Sequence, residues 1–259
     1  MSITFDVYRG SKEGKIVADK TTRPLRPTDV YIETTHSGLC GTDEHFLHSG
    51  QVLGHEGVGV VKQVGEAVTH VQVGDRVGFG YTHEVCGICD HCISGMIIYH
   101  FFFFLIILQI TDILAGWDQY CVNKKEYGTH NHDLGTFSRG VVWNAGNVFK
   151  IPDGYDSANA APLMCAGATV WTCLTEYGVR PTDRVGIMGI GGLGHLAVKL
   201  AAAMGCHVVV LSSSEKKREE AMQFGASEYH VFSAGQEMKD FKPLKHLLLC
   251  GSANVDYPS

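Results

Sequence analysis

Positive charge is in short supply in this sequence. Lys and Arg total 21 against 27 Asp and Glu, for a net charge of −6. That balance gives no broad basic face, which excludes nucleic acid as a main partner. Nor is there a leader pattern. Residues 1–10 are polar and mixed, no secretory apolar stretch follows them, and there is no Arg-rich transit pattern. The expected setting is the cytoplasm. The nine cysteines are therefore read as metal ligands or buried thiols, not as a disulfide framework. Internal repeats are absent. So is an apolar run of the roughly 20 residues that a spanning helix needs. The nearest approach, residues 96–110, is shorter and is broken by His100 and Gln109. It has no flanking Lys or Arg cluster to orient it, so no membrane partner is expected. Its bland readings are a buried core helix or an unusual membrane contact.

What is present is glycine and apolar material. Gly makes up 31 of 259 residues, above the roughly 7% average, which points to tight turns. Hydrophobic residues reach 45%, enough for a core, and the length allows one large domain or two modest ones. Up to about Pro152, short β-like runs (30–35, 58–64, 76–80) alternate with glycine turns. After Asp156 the style changes. Helical stretches at 158–161 and 169–177 precede an alternation of strands (185–190, 207–211, 229–232, 247–250) with helices (193–204, 215–224). That order predicts a parallel sheet with crossover helices. The fold class expected is mixed β and α/β, with domains at 1–152 and 153–259.

Cys86, Cys89 and Cys92 sit three apart, too close for a disulfide framework but well placed for one metal. Cys121 completes a four-thiolate set of the kind that binds structural zinc tetrahedrally. Twenty-eight residues separate Cys92 from Cys121, and residues 96–116 account for the excess. Without those 21 residues the spacing becomes C-x2-C-x2-C-x7-C. The segment is read here as a translated, unspliced intron of 63 nucleotides, absent from the correctly spliced transcript. A second set is dispersed: Cys40, His55, Glu56 and Cys165. A Cys/His/Cys set leaves a position open, as catalytic zinc requires, but each residue alone is more often a core residue.

Gly189, Gly191 and Gly194 form G-x-G-x-x-G between a predicted strand and a helix on which Leu193, Leu196, Leu200 and Met204 recur at helical spacing. With Gly192 and Leu193, this turn is a candidate pyrophosphate site. Where an NAD enzyme usually places an acid, the sequence has Ser212, Ser213 and Ser214, then Lys216, Lys217 and Arg218. Hydroxyls and cations suit a 2′-phosphate, so NADP(H) is the cofactor expected. A solvated polar turn is the alternative, and Glu215 is a near miss for the acidic role.

With these residues in hand, the chain resembles the zinc-dependent medium-chain alcohol dehydrogenases, closest to the cinnamyl-alcohol-dehydrogenase-like branch. The matching stretches are HSGLCGTDEH, GHEGVGVVKQVGEAV, VGDRVG, CGICDHC, APLMCAGATVW, GIGGLGHLAVKLA and SSSEKKREEA. The resemblance implies a GroES-like catalytic domain and a Rossmann domain, the latter incomplete here. It implies that Cys40, His55 and Cys165, with Glu56 as an alternate, hold a catalytic zinc, with Asp43 supporting them. It also implies that Cys86, Cys89, Cys92 and Cys121 hold a structural one, giving two Zn2+ per chain. Thr42 and His45 would relay the proton of an alcohol/aldehyde pair. Homodimers are common in that family, but the sheet edge that builds them is not all here. Only the first half of the dinucleotide fold is legible before Ser259, so an inactive zinc-binding fragment is the alternative expectation.

Overall fold

The computed structural model describes residues 1–92, 118–231 and 241–251. Contacts divide the chain into two units, Met1–Cys165 and Ala166–Ser259.

The first unit opens with an antiparallel pair, β1 (Ser2–Arg9) and β2 (Val17–Pro24). No strand is expected here from composition, yet β1 alternates strictly. Ile3, Phe5 and Val7 are buried, while Ser2, Thr4 and Asp6 are exposed. Three apolar residues at period two are enough to seat a strand on a core, even in a stretch that is polar on average. Then come β3 (Asp29–Ser37), the short helix α1 (Gly41–His45), β4 (Glu56–Val64) and β5 (Arg76–Gly80). Next are β6 (Thr82–Glu84), β7 (Lys125–Glu126), β8 (Val141–Asn144), β9 (Phe149–Lys150) and α2 (Ser157–Ala160). Five of these strands form an antiparallel sheet in the order β8-β3-β4-β5-β9, and β6 pairs with β7. Val30, Ile32, Val61, Val77, Phe79 and Trp143 are central to its core.

The second unit contains α3 (Ala166–Glu176), β10 (Arg184–Met188), α4 (Gly192–Ala203), β11 (His207–Ser212), α5 (Arg218–Gln223), β12 (Glu228–Val231) and β13 (His246–Leu249). All four strands are parallel, in the order β12-β11-β10-β13. Chain order reverses beside β10, and open α/β sheets bind ligands at such a switch point. Val208, Val209, Val210 and Leu211 are buried in succession, as a strand covered on both faces requires. In α4 the buried residues are Gly194, Ala197, Val198 and Ala201. The larger stripe of Leu193, Leu196, Leu200 and Met204 is only partly covered or exposed. Small side chains let this helix lie close against the sheet.

No helix among the described residues is long and apolar enough to cross a membrane. The segment 96–116, with the three readings given for it, lies outside the described residues.

Candidate metal centres and dinucleotide site

Cys40, Asp43, His55, Glu56 and Cys165 come from three stretches of the first unit. Cys40 precedes α1, His55 directly precedes β4 and Glu56 begins it, and Cys165 follows the 3-10 turn Ala161–Met164. Gly80 on β5 lets these stretches meet. A Cβ there would lie 2.7 Å from the Met164 carbonyl oxygen and 2.9 Å from that of His55. The ligand atoms of Cys40, His55, Glu56 and Cys165 all lie within 4.8 Å of one another.

Asp43 organises the cluster from beneath. Its Oδ1 accepts from His55 Nδ1 at 2.9 Å, the Gly54 amide at 3.1 Å and the Tyr127 hydroxyl at 2.9 Å. Its Oδ2 accepts from the Cys40 amide at 3.1 Å. Burial acts to raise the Asp43 pKa, but the hydrogen bond and charge of His55, with the Cys40 amide and Tyr127 hydroxyl, outweigh it, and the net shift is downward. An ionised Asp43 fixes the proton on Nδ1 and leaves Nε2 as a lone pair. That Nε2 is buried and has no hydrogen-bond partner. A buried polar atom without a partner is costly, and a metal in the midst of two thiols and a carboxylate would satisfy it. Burial, then the charges of Cys40 and Glu56, push the Cys165 thiol up to about 12. Such a thiol keeps its proton until a cation takes the thiolate. The donor set therefore fits zinc.

Thr42 and His45 occupy the same short helix at positions i and i+3, hence on one face. Thr42 is half-buried and His45 exposed. No hydrogen bond joins them.

The thiolate lobe also assembles. Sγ–Sγ separations are 3.9 Å for Cys86–Cys92, 3.6 Å for Cys89–Cys92 and 3.5 Å for Cys121–Cys86. A tetrahedral site with Zn–S near 2.3 Å places sulfurs about 3.8 Å apart. Cys121 thus reaches the lobe although residues 93–117 intervene in the sequence. Amides of Ile88 and Cys89 pull the Cys86 thiol down to about 6. Burial, then Cys121, pushes Cys92 up to about 12.

In the second unit the three fingerprint glycines are separated by what surrounds them. Gly189 has φ +92°, a left-handed turn directly after β10. A Cβ on Gly194 would sit on the Gly189 carbonyl oxygen, so close packing of helix on strand demands glycine there. A Cβ on Gly191 or Gly192 would meet nothing within 4 Å. The protein leaves open the space beside the α4 N-terminus that a pyrophosphate would take. Ser212 ends β11, Ser213 and Ser214 lie in the turn that follows, and Lys217 Nζ donates to the Ile190 carbonyl at 2.7 Å. That bond sets the ammonium beside the glycine loop. The fit to a dinucleotide is good.

Two family models match the chain. One, described as alcohol dehydrogenase GroES-like domain, covers residues 26–153, and the other, zinc-binding dehydrogenase, covers residues 192–253. The chain belongs to the zinc-binding alcohol dehydrogenases. Cinnamyl alcohol dehydrogenase 1 of Ocimum basilicum is 39% identical over 235 residues, covering 85% of this chain and 60% of that protein. NADP-dependent alcohol dehydrogenase C 1 of Mycolicibacterium smegmatis is 36% identical over 251 residues, covering 91% of this chain and 66% of that protein. The crystal structure of CAD from Helicobacter pylori complexed with NADP(H) superposes with a TM-score of 0.79 at 25% identity, covering 96% of this chain and 69% of that one. The chain spans about 60% of the length of the cinnamyl alcohol dehydrogenases it matches. The chain also holds a residue that the sequence did not reveal. Tyr127, buried on Asp43 with its ring 4.7 Å from that of His55, follows no metal-ligand spacing.

Proposed function

We propose that this chain serves hydride transfer between NADP(H) and a small alcohol/aldehyde pair, aromatic or medium-chain. The observation that carries the reading is the buried, unpartnered His55 Nε2 set among Cys40, Glu56 and Cys165. Bound zinc supplies Lewis acidity at the substrate oxygen, and the nicotinamide gives or takes the hydride. Cys40, His55 and Cys165 would hold that zinc, with Glu56 as an alternate ligand, and Cys86, Cys89, Cys92 and Cys121 a structural one. Asp43 keeps the His55 ring in the tautomer that offers Nε2. The Thr42 hydroxyl would accept the proton of the alcohol while giving up its own, and His45, exposed at the end of the same helix, would carry that released proton to solvent. Gly191 and Gly192 admit the pyrophosphate, Leu193 and Gly194 continue that turn, and Ser212, Ser213, Ser214 and Lys217 read the 2′-phosphate. A cytoplasmic setting belongs to the same reading.

The test is elemental analysis of the purified chain, followed by an aldehyde panel with NADPH and NADH. Two zincs per chain and NADPH-dependent reduction are expected, and Thr42→Ala should abolish most turnover while keeping both zincs. A clear NADH preference overturns the cofactor assignment. Zinc without turnover of any aldehyde would make the chain a zinc-binding fragment that does not perform the reaction.

A further inference from the structure

The turn after β11 contains one acid among its hydroxyls and cations, and the structure shows what becomes of it. Both Glu215 carboxylate oxygens accept from Arg218, Nε at 2.5 Å and Nη2 at 2.8 Å. The third nitrogen, Nη1, donates to the Tyr229 carbonyl at 2.9 Å, and the guanidinium lies 4.7 Å from the centre of the Tyr229 ring. Tyr229 is buried on β12, and its hydroxyl donates to the Ser214 carbonyl at 2.6 Å. Serine turn, acid and arginine are thus one hydrogen-bonded unit anchored on β12. An acid in this turn normally accepts the ribose 2′-hydroxyl and repels a 2′-phosphate. Here the acid is spoken for, and Lys216 and Lys217 remain as charges that no acid in the turn offsets.

We propose that Arg218 is a specificity-determining residue for the cofactor: by holding both oxygens of Glu215, it silences the acidic acceptor and turns the site toward 2′-phosphorylated nucleotides. The inference rests on the reading of this turn as the adenosine-ribose site. Arg218 acts through Glu215: three of its five N–H groups are engaged, two on that carboxylate and one on the Tyr229 carbonyl. Tyr229 acts as a positioning residue that fixes the arginine and the Ser214 backbone together. The pair is partly exposed, with side chains 45% and 62% accessible, so the effect is moderate and falls with salt.

The experiment is calorimetric titration of the full chain at low salt with 2′,5′-ADP and with 5′-ADP. The wild type should bind 2′,5′-ADP more tightly. Arg218→Met keeps an apolar stem on Tyr229 and frees Glu215. It should weaken 2′,5′-ADP about fivefold, the size expected for one uncompensated exposed charge, and leave 5′-ADP within about twofold. Glu215→Gln added to Arg218→Met should restore 2′,5′-ADP binding. Equal loss of both ligands, an unchanged preference in Arg218→Met, or failure of the double variant to recover each overturns the role of Arg218 alone. A wild type that does not prefer 2′,5′-ADP overturns the cofactor reading as well.

Discussion

Single residues show where the sequence speaks and where it is silent. The glycine fingerprint is legible as a spacing, but the spacing does not say which glycine serves the fold and which serves a ligand. Gly194 has no room for a Cβ and Gly191 has ample room. Gly194→Ala must displace backbone and should destabilise the second unit by about 3 kcal/mol or more. Gly191→Ala should leave stability within about 0.5 kcal/mol while weakening 5′-ADP. Thermal melts paired with ligand titration separate the two, and equal melting temperatures would sink the distinction. Tyr127 is the silent case. It donates to Asp43 from far along the chain, and nothing in local spacing marks it. Tyr127→Phe removes one of the groups that hold the His55 orienter. Zinc affinity at that centre should fall about tenfold, as for other outlying partners of metal ligands, measured by chelator competition. Unchanged affinity would reduce Tyr127 to packing.

At the scale of elements, period-two and glycine-bounded patterns reveal β3, β4 and β5 in the first unit and all four strands of the second; β4, β5 and β11 each bury several residues in succession. β1 escapes because its apolar residues are diluted by polar ones that face outward. The α4 face escapes because the helical spacing is carried by its large residues, whereas close approach to a sheet selects Gly and Ala. Charges tie elements together in ways no pattern announces. Glu228 on β12 accepts from Arg184 on β10, with Nη2 at 2.8 Å, from His207 on β11 at 2.7 Å, and from His230 at 2.9 Å. Arg184 first, then His230 and His207, hold its carboxyl well below the ordinary value of 4.5. A depressed folded pKa stabilises the fold above the ordinary value, and that contribution is lost as pH falls below 4.5 toward the folded value. Glu228→Gln should cost about 1 kcal/mol at neutral pH, the carboxylate being partly exposed, and flatten the acid limb. Urea midpoints at pH 7 and below the carboxylate range measure both, and an unaltered acid limb would contradict the account.

At the scale of the molecule, the change from glycine-punctuated strands to alternating strands and helices gave away two kinds of architecture, each with its own apolar core. The thiolate lobe was legible because CGICDHC packs three ligands into seven residues. The other centre was legible only through likeness to a family, since its ligands are scattered and each is an ordinary core residue by itself. That scattering has a consequence for folding. A metal gripping Cys40, His55 and Cys165 is a removable staple between the first quarter of the chain and the last residue of the first unit. In an unfolded chain it would close a very long loop, and long closed loops sacrifice the most disorder. The ion that serves the chemistry thereby also sets how tightly the chain's path is pinned. Stripping it should loosen that path well before any strand is lost.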